Sequence, residues 1–246
     1  MGVIATIGVL AAIGAPKGEP TIRYERFQHG RGVYHLVTAD LRSGQYAAGT
    51  VHSPRLISVW DLVGKTKPYA AITGTFFSPA SQRPVADVLI DGRLVSRGSL
   101  GTAIGVDWYG EVSIFDRPFR QPVDWGEYRF GLRGTVRVVA EGVVRADPKA
   151  QRFRDKRLWG RAARTGLGLT SNGKLLLCAT KSGVTLSEMG RAMRSRGAQD
   201  AVSLDGGGST CLYYKGSLVV PPQRKLNNLF VLRPAESASG IAGVSN

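Results

Sequence analysis

The segment Leu204-Asp205-Gly206-Gly207-Gly208-Ser209-Thr210 concentrates groups able to do chemistry. Three successive glycines can take positive φ and bring bare backbone N–H groups against a ligand. Such nests of amides bind phosphate oxygens. Asp205 adds a carboxylate at the end of an apolar run, and Ser209 and Thr210 add hydroxyls beyond the turn. A nucleotide-binding Walker loop is excluded, because no Gly-Lys-Ser/Thr follows the glycines. A tight turn without a ligand, with Asp205 accepting amide hydrogen bonds as a cap, is the competing reading. Ser209 is a poor candidate nucleophile, since none of His29, His35 and His52 stands in a recognisable triad context. Two cysteines and three scattered histidines also assemble no metal site at these spacings.

The surrounding sequence narrows the choice. Arg164-Thr165-Gly-Leu-Gly168, Asn172-Gly173, Gly183-Val-Thr-Leu-Ser-Glu188, Gly197-Ala198, Leu204-Asp-Gly-Gly-Gly-Ser209, Pro222, Arg224 and Asn227-Asn228 follow one another in a specific order and spacing. Together they resemble the phosphodiester glycosidase family. A weaker likeness runs upstream through Thr73-Gly-Thr-Phe-Phe77, Asp91-Gly92 and Gly101-Thr-Ala-Ile-Gly105, so the resemblance covers roughly positions 69 to 232. One departure is Thr73, where the family's Asn-Gly-x-Phe signature has Asn. A single hydroxyl replaces an amide that donates and accepts, which bears on sugar contacts more than on fold.

The resemblance implies hydrolysis of a sugar from a phosphodiester at the anomeric carbon–oxygen bond. A departing phosphomonoester is already a good leaving group, so a strong general acid matters less than in ordinary glycoside hydrolysis. Anion recognition, a carboxylate near the anomeric centre and tight positioning matter more. On this reading Asp205 is the base, nucleophile or charge stabiliser. Arg164 meets the phosphate with a guanidinium fork, or is a structural ion-pair partner. Gly206, Gly207 and Gly208 supply amides, and Ser209 and Thr210 bond to phosphate or sugar. Thr73, Gly74, Glu188, Arg224 and Asn228 complete the expected binding set. For Glu188 a helix-capping role competes, and for Arg224 and Asn228, placed between two late strands, a structural one. No cofactor is implied, and assistance by a divalent ion is left open. The competing class is a non-catalytic binding module for anionic glycans on the same fold.

These residues need a scaffold of strands. Alternation marks strands at 32–38 and 56–62, and 69–77 reads as a buried strand broken by Gly74. Asp91-Gly92 turns a hairpin between Val88–Ile90 and Leu94–Val95. Residues 102–114 and 165–177 share one layout of strand, Gly-ending turn and strand, which predicts two hairpins side by side in one sheet system. Ala201–Asp205 is a strand, and 211–214 with 217–220 forms a last hairpin at Lys215-Gly216. Thr185-Leu-Ser-Glu188 is a capping box, with Leu186, Met189 and Met193 on one helical face and Gly197 placed to end the helix. The expectation is an α+β domain over 21–233, mostly antiparallel sheets and hairpins, with one prominent helix near 186–196 packed on them.

Composition sets the outer limits. The chain has 246 residues, 33 Lys plus Arg against 18 Asp plus Glu, and a net charge of +15. Hydrophobic content of 43% excludes a disordered polyelectrolyte, and 32 Gly with 12 Pro favour many short strands over a helical bundle. The charge demands an anionic partner. Nucleic acid is disfavoured, since no helix-turn-helix, zinc knuckle or aromatic RNA-binding signature occurs. A sugar phosphate or anionic glycan fits better. The densest basic run, Arg145 to Arg164, is either a solvated face or an anion-attracting rim. Cys178 and Cys211 read as buried free thiols rather than a bridge. Val3–Ile13 is too short to span a bilayer and reads as a secretory signal core or a first strand after disorder. The signal reading implies a secreted or cell-envelope (periplasmic) location. Residues 234–246 are expected to be a disordered tail, and the oligomeric state is left open.

Overall fold

The computed structural model describes residues 21–235. The signal-or-strand reading of Val3–Ile13 and most of the expected tail lie outside them. Pro234 itself closes a strand.

In chain order the strands are β1 (Ile22–His29), β2 (Gly32–Ala39), β3 (Tyr46–Ile57), β4 (Ala70–Thr73), β5 (Val88–Ile90), β6 (Arg93–Ser96), β7 (Thr102–Asp107) and β8 (Val112–Phe115). They continue with β9 (Tyr128–Ala140), β10 (Val143–Val144), β11 (Ala162–Thr170), β12 (Leu175–Val184), β13 (Ala198–Ser203), β14 (Leu212–Tyr214), β15 (Ser217–Val220) and β16 (Leu226–Pro234). Two α-helices, α1 (Val59–Gly64) and α2 (Leu186–Arg194), join them. The protein is therefore more β-rich than an α+β description conveys.

Strands form two antiparallel sheets. The large one runs β1-β2-β12-β11-β13-β9-β5-β6, with β10 and β7 also on β9, and β8 on β7. The small one runs β15-β14-β4-β16-β3. The two look-alike hairpins, β7–β8 and β11–β12, do share the large sheet. They are not adjacent, because β9 and β13 stand between β7 and β11.

Alternation along each strand explains the layering. On β12, Leu175, Leu177 and Ala179 face the small sheet's Ile72, Leu212, Phe230 and Leu232. Leu176 and Cys178 face the other way, into a layer with Met189 and Met193 of α2. On the far side of the small sheet, Ala71, Leu229 and Val231 pack against Val59, Leu62 and Val63 of α1. Each sheet thus lies between the other sheet and a helix, so central segments such as β4 and the first half of β12 are buried on both faces.

Local signals account for both helices. Thr185 Oγ1 accepts from the Glu188 amide while Glu188 accepts from the Thr185 amide, the reciprocal cap that the sequence predicts. The helix ends at Arg194, and Gly197, at φ +88°, closes the following turn onto the Arg194 carbonyl. The alternating run 56–62 is not a strand throughout. β3 ends at Ile57, and Ser58 caps α1 by accepting from the Asp61 amide at 3.1 Å. Val59, Leu62 and Val63 then fall on one buried face at helical spacing. Both cysteines are buried free thiols.

Candidate active site

The glycine-rich turn is where the chain crosses from the large sheet to the small one. β13 ends at Ser203, a short 3-10 turn covers Gly207–Ser209, and β14 begins at Leu212. Gly207 adopts φ +58°, a conformation that glycine takes without strain. The Ser209 and Thr210 amides bond back to the Gly206 and Gly207 carbonyls, at 3.1 Å each. Gly206 packs on β11 so closely that a Cβ there would lie 2.8 Å from the Ala163 carbonyl.

Main-chain bonds from both sheets fix Asp205. Its amide donates to the Gly74 carbonyl at 3.0 Å, and its carbonyl accepts from Thr165 Oγ1 at 2.5 Å. The carboxylate is nearly buried, with 9% of the side chain exposed. Burial raises its pKa from the ordinary carboxylate value, against the opposing pull of Ser209, Arg224 and the Gly206 amide. A carboxyl held in this way can exchange a proton closer to neutrality than a surface aspartate can.

Arg224 binds both key side chains. Its Nε donates to Ser209 Oγ at 2.6 Å and its Nη2 to Asp205 Oδ2 at 3.2 Å. The guanidinium lies over the Phe77 ring, 4.7 Å from its centroid, and its side chain remains 40% exposed. The turn is also tied to the strand's approach, because the Gln223 amide donates to the Gly208 carbonyl at 2.8 Å. An open guanidinium therefore flanks a buried carboxylate, beside the first amides of a glycine turn. An anion on Arg224 and these amides would place its substituent against Asp205.

The other expected residues divide by position. Thr73 Oγ1 donates to the Ser209 carbonyl at 2.5 Å, so its hydroxyl supports the turn. Gly74 leaves room for Asn228, since a Cβ would sit 2.0 Å from Asn228 Oδ1. Asn228 lies within β16, not between strands. Its Oδ1 accepts from the Thr75 amide at 2.7 Å, and its Nδ2 donates to the Thr75 carbonyl and to Asn227 Oδ1. Thr210 Oγ1 is buried and makes no hydrogen bond among the described residues.

Arg164 and Glu188 stand apart from this cluster. Arg164 is 3% exposed, and burial lowers its pKa. Its Nε bonds the Val184 carbonyl at 3.3 Å, and its Nη2 bonds the carbonyls of Gly160 (2.6 Å), Leu158 (3.3 Å) and Arg157 (3.4 Å). Glu188 accepts from the Thr185 amide and from Arg161, at 2.8 and 3.0 Å, and these bonds lower its pKa.

Residues missed by the sequence reading include Thr165 and Thr75, whose hydroxyls bond the Asp205 and Arg133 carbonyls. Arg157 lies outside the cluster, exposed and hydrogen-bonded to Asp155, which raises its pKa. The rest of the basic run, Arg145 to Arg161, is exposed. Among the described residues, no group of three or more His, Cys, Asp or Glu gathers around a common point to hold a metal ion.

The segments that build this cluster fall inside a single family match, in which residues 66–238 fit the model described as phosphodiester glycosidase. The chain belongs to the phosphodiester glycosidase family. Solved structures share its fold. The catalytic domain of zebrafish N-acetylglucosamine-1-phosphodiester alpha-N-acetylglucosaminidase, auto-inhibited by its pro-peptide, matches with a TM-score of 0.74 at 16% identity, over 89% of this chain and 85% of that one. A hypothetical protein from Synechocystis matches with a TM-score of 0.65 at 15% identity, over 86% of this chain and 61% of that one. A protein of Burkholderia pseudomallei K96243, provisionally named as exported, gives 0.60 at 12%, over 82% and 74%. A search of curated proteins finds no match.

Proposed function

We propose that this phosphodiester glycosidase family member hydrolyses the glycosidic bond of a sugar-1-phosphodiester. One observation carries the reading: a part-exposed Arg224 bonded at once to buried Asp205 and to Ser209, over the glycine turn. The phosphate sits on Arg224 and the amides of Gly207 and Gly208, which puts the anomeric carbon beside Asp205. Water attacks that carbon and gives its proton to Asp205, while the electron pair of the breaking C–O bond leaves with the phosphomonoester. Arg224 meets the leaving group's charge, and Ser209 orients Arg224. Arg164 acts at one remove, by holding the Arg157–Gly160 turn. Substrates of this kind occur in cell-envelope and exopolysaccharide glycans, and the net charge of +15 suits such polyanions. A secreted or periplasmic site of action goes with them, in line with the provisional name of the Burkholderia neighbour.

The test is sugar release from a panel of sugar-1-phosphodiesters, with and without chelator. Asp205→Asn should lower kcat by about 10²–10⁴-fold, the range of acid–base catalysis, while the diester still binds. Binding of a diester by the wild-type protein, with no release from any member of the panel, would replace this reading with that of an anionic-glycan binding module.

A further inference from the structure

Beside the Arg157–Gly160 turn lies a concavity of about 460 Å³, lined by Trp159, Leu158, Leu186, Lys149, Asp147 and Ser187 among others. Its size is that of a small-molecule site. Trp159 is 45% exposed, although an indole is usually well buried in a domain of this length. The turn carrying it is fixed from beneath. Arg164 spends its Nη2 on the carbonyls of Arg157, Leu158 and Gly160, so Arg157 and Trp159 are presented by one rigid piece of backbone. The same stretch of β11 also carries the glycine turn, since Gly206 packs against the Ala163 carbonyl and the Arg164 backbone, and Trp159 lines the concavity. The charge around it is lopsided. Arg161 and Arg157 are paired with Glu188 and Asp155. Lys149 in the lining, and Arg154 and Lys156 just before Trp159 in the chain, are exposed and have no carboxylate within ion-pair distance among the described residues.

We infer that the Trp159 concavity is a subsite for an anionic saccharide unit, the part of the substrate lying beyond the scissile phosphodiester. The indole face offers a platform for the C–H face of a pyranose, as aromatic side chains do for flat apolar surfaces. Asp147 and Ser187 can bond sugar hydroxyls, and Lys149 with its unpaired neighbours meets the negative charge. The inference takes Asp205 and Arg224 as the reacting centre, and on that reading the substrate is a charged oligosaccharide rather than a small diester.

Binding and turnover test the two readings separately. In calorimetric titrations at low ionic strength, the wild-type protein should bind trigalacturonate more tightly than neutral maltotriose. Trp159→Ala should weaken trigalacturonate roughly tenfold, and Trp159→Phe should recover most of that. Equal affinity in Trp159→Ala and wild type, or maltotriose binding as tightly as trigalacturonate, would overturn the subsite. Trp159-dependent binding without release from any diester would support the subsite and remove the reaction.

Discussion

Replacing Arg224 by Met keeps an unbranched side chain against Phe77 and deletes two hydrogen bonds, so its cost can be worked from the geometry. The Nε bond to Ser209 at 2.6 Å contributes about 1 kcal/mol, the usual net value of a protein hydrogen bond. The ionic bond to Asp205 lies between two limits. Breaking a fully buried pair costs about 3–5 kcal/mol, and an exposed pair contributes about 0–1 kcal/mol. With Asp205 9% exposed and Arg224 40% exposed, solvent screening discounts it to about 1 kcal/mol. The sum is about 2 kcal/mol at neutral pH. Its two parts differ in pH dependence. Burial raises the Asp205 pKa and Arg224 opposes that, so the substitution raises it further. A group whose folded pKa lies above its unfolded value contributes stability below the unfolded pKa and loses it as pH rises through the folded one. The variant therefore loses more than the wild type as Asp205 ionises. Below about pH 4, the ordinary carboxylate range, Asp205 is neutral in both proteins and the difference falls to about 1 kcal/mol. Urea unfolding of both proteins at the two pH values, read by tryptophan fluorescence, gives this difference with the other titrating groups cancelling. A deficit equal at both pH values, or absent at neutral pH, would refute the argument that Arg224 stabilises an ionised, buried Asp205.

Gly74→Ala forces a Cβ to within 2.0 Å of Asn228 Oδ1 and should cost about 1–3 kcal/mol in unfolding free energy, as overpacking does. Adding Asn228→Ala should give a double variant less destabilised than the sum of the two, and strict additivity would argue against the clash. Thr185→Ala removes the hydroxyl half of the α2 capping box and should cost about 1 kcal/mol, seen calorimetrically as a fall of about 2–4 °C in Tm. Burial pushes the Cys211 thiol up to about 12 and raises Cys178 as well, so neither should react with a thiol-titrating disulfide reagent until the chain is unfolded. Fast labelling of the native protein would contradict their burial.

Much of the scaffold is legible in short-range chemistry. Asp91-Gly92, Asn172-Gly173 and Lys215-Gly216 each mark a real hairpin turn, because such pairs tolerate the positive φ those turns require. The capping box marks the start of α2 for the same local reason. The long strands β1 and β9 are harder to read. β1 interleaves Arg23, Glu25 and Arg26 with apolar residues, and β9 carries Arg129, Arg133 and Arg137. In β9 tertiary partners bury what local pattern calls exposed: Arg133 donates to the Gly101 and Gln121 carbonyls, and Arg137 pairs with Asp200. At 56–62 a strand-like alternation hides a helix marked locally by the Ser58 cap with Asp61 three residues on, and by Val59, Leu62 and Val63 at helical spacing. Within the site, Arg224 joins Asp205 and Ser209 by hydrogen bonds that no spacing in the sequence foretells, because its strand approach and the glycine turn are brought together only by the small sheet. Arg164 shows the limit of motif reading, since residue type cannot distinguish a guanidinium facing a ligand from one facing four carbonyls.

Asp205 is anchored by Gly74 of the small sheet's approach and by Thr165 of the large sheet, so no single layer of the protein contains a complete centre. Its parts come from positions 73 to 228 and converge only when the two sheets close on each other. In refolding, recovery of activity should thus lag behind recovery of strand content, and the final rate-limiting event would be the docking of layers rather than the making of strands. Catalytic competence in this fold would then report the joint between the sheets, and substitutions deep in that joint should silence the protein without touching any residue that meets the substrate.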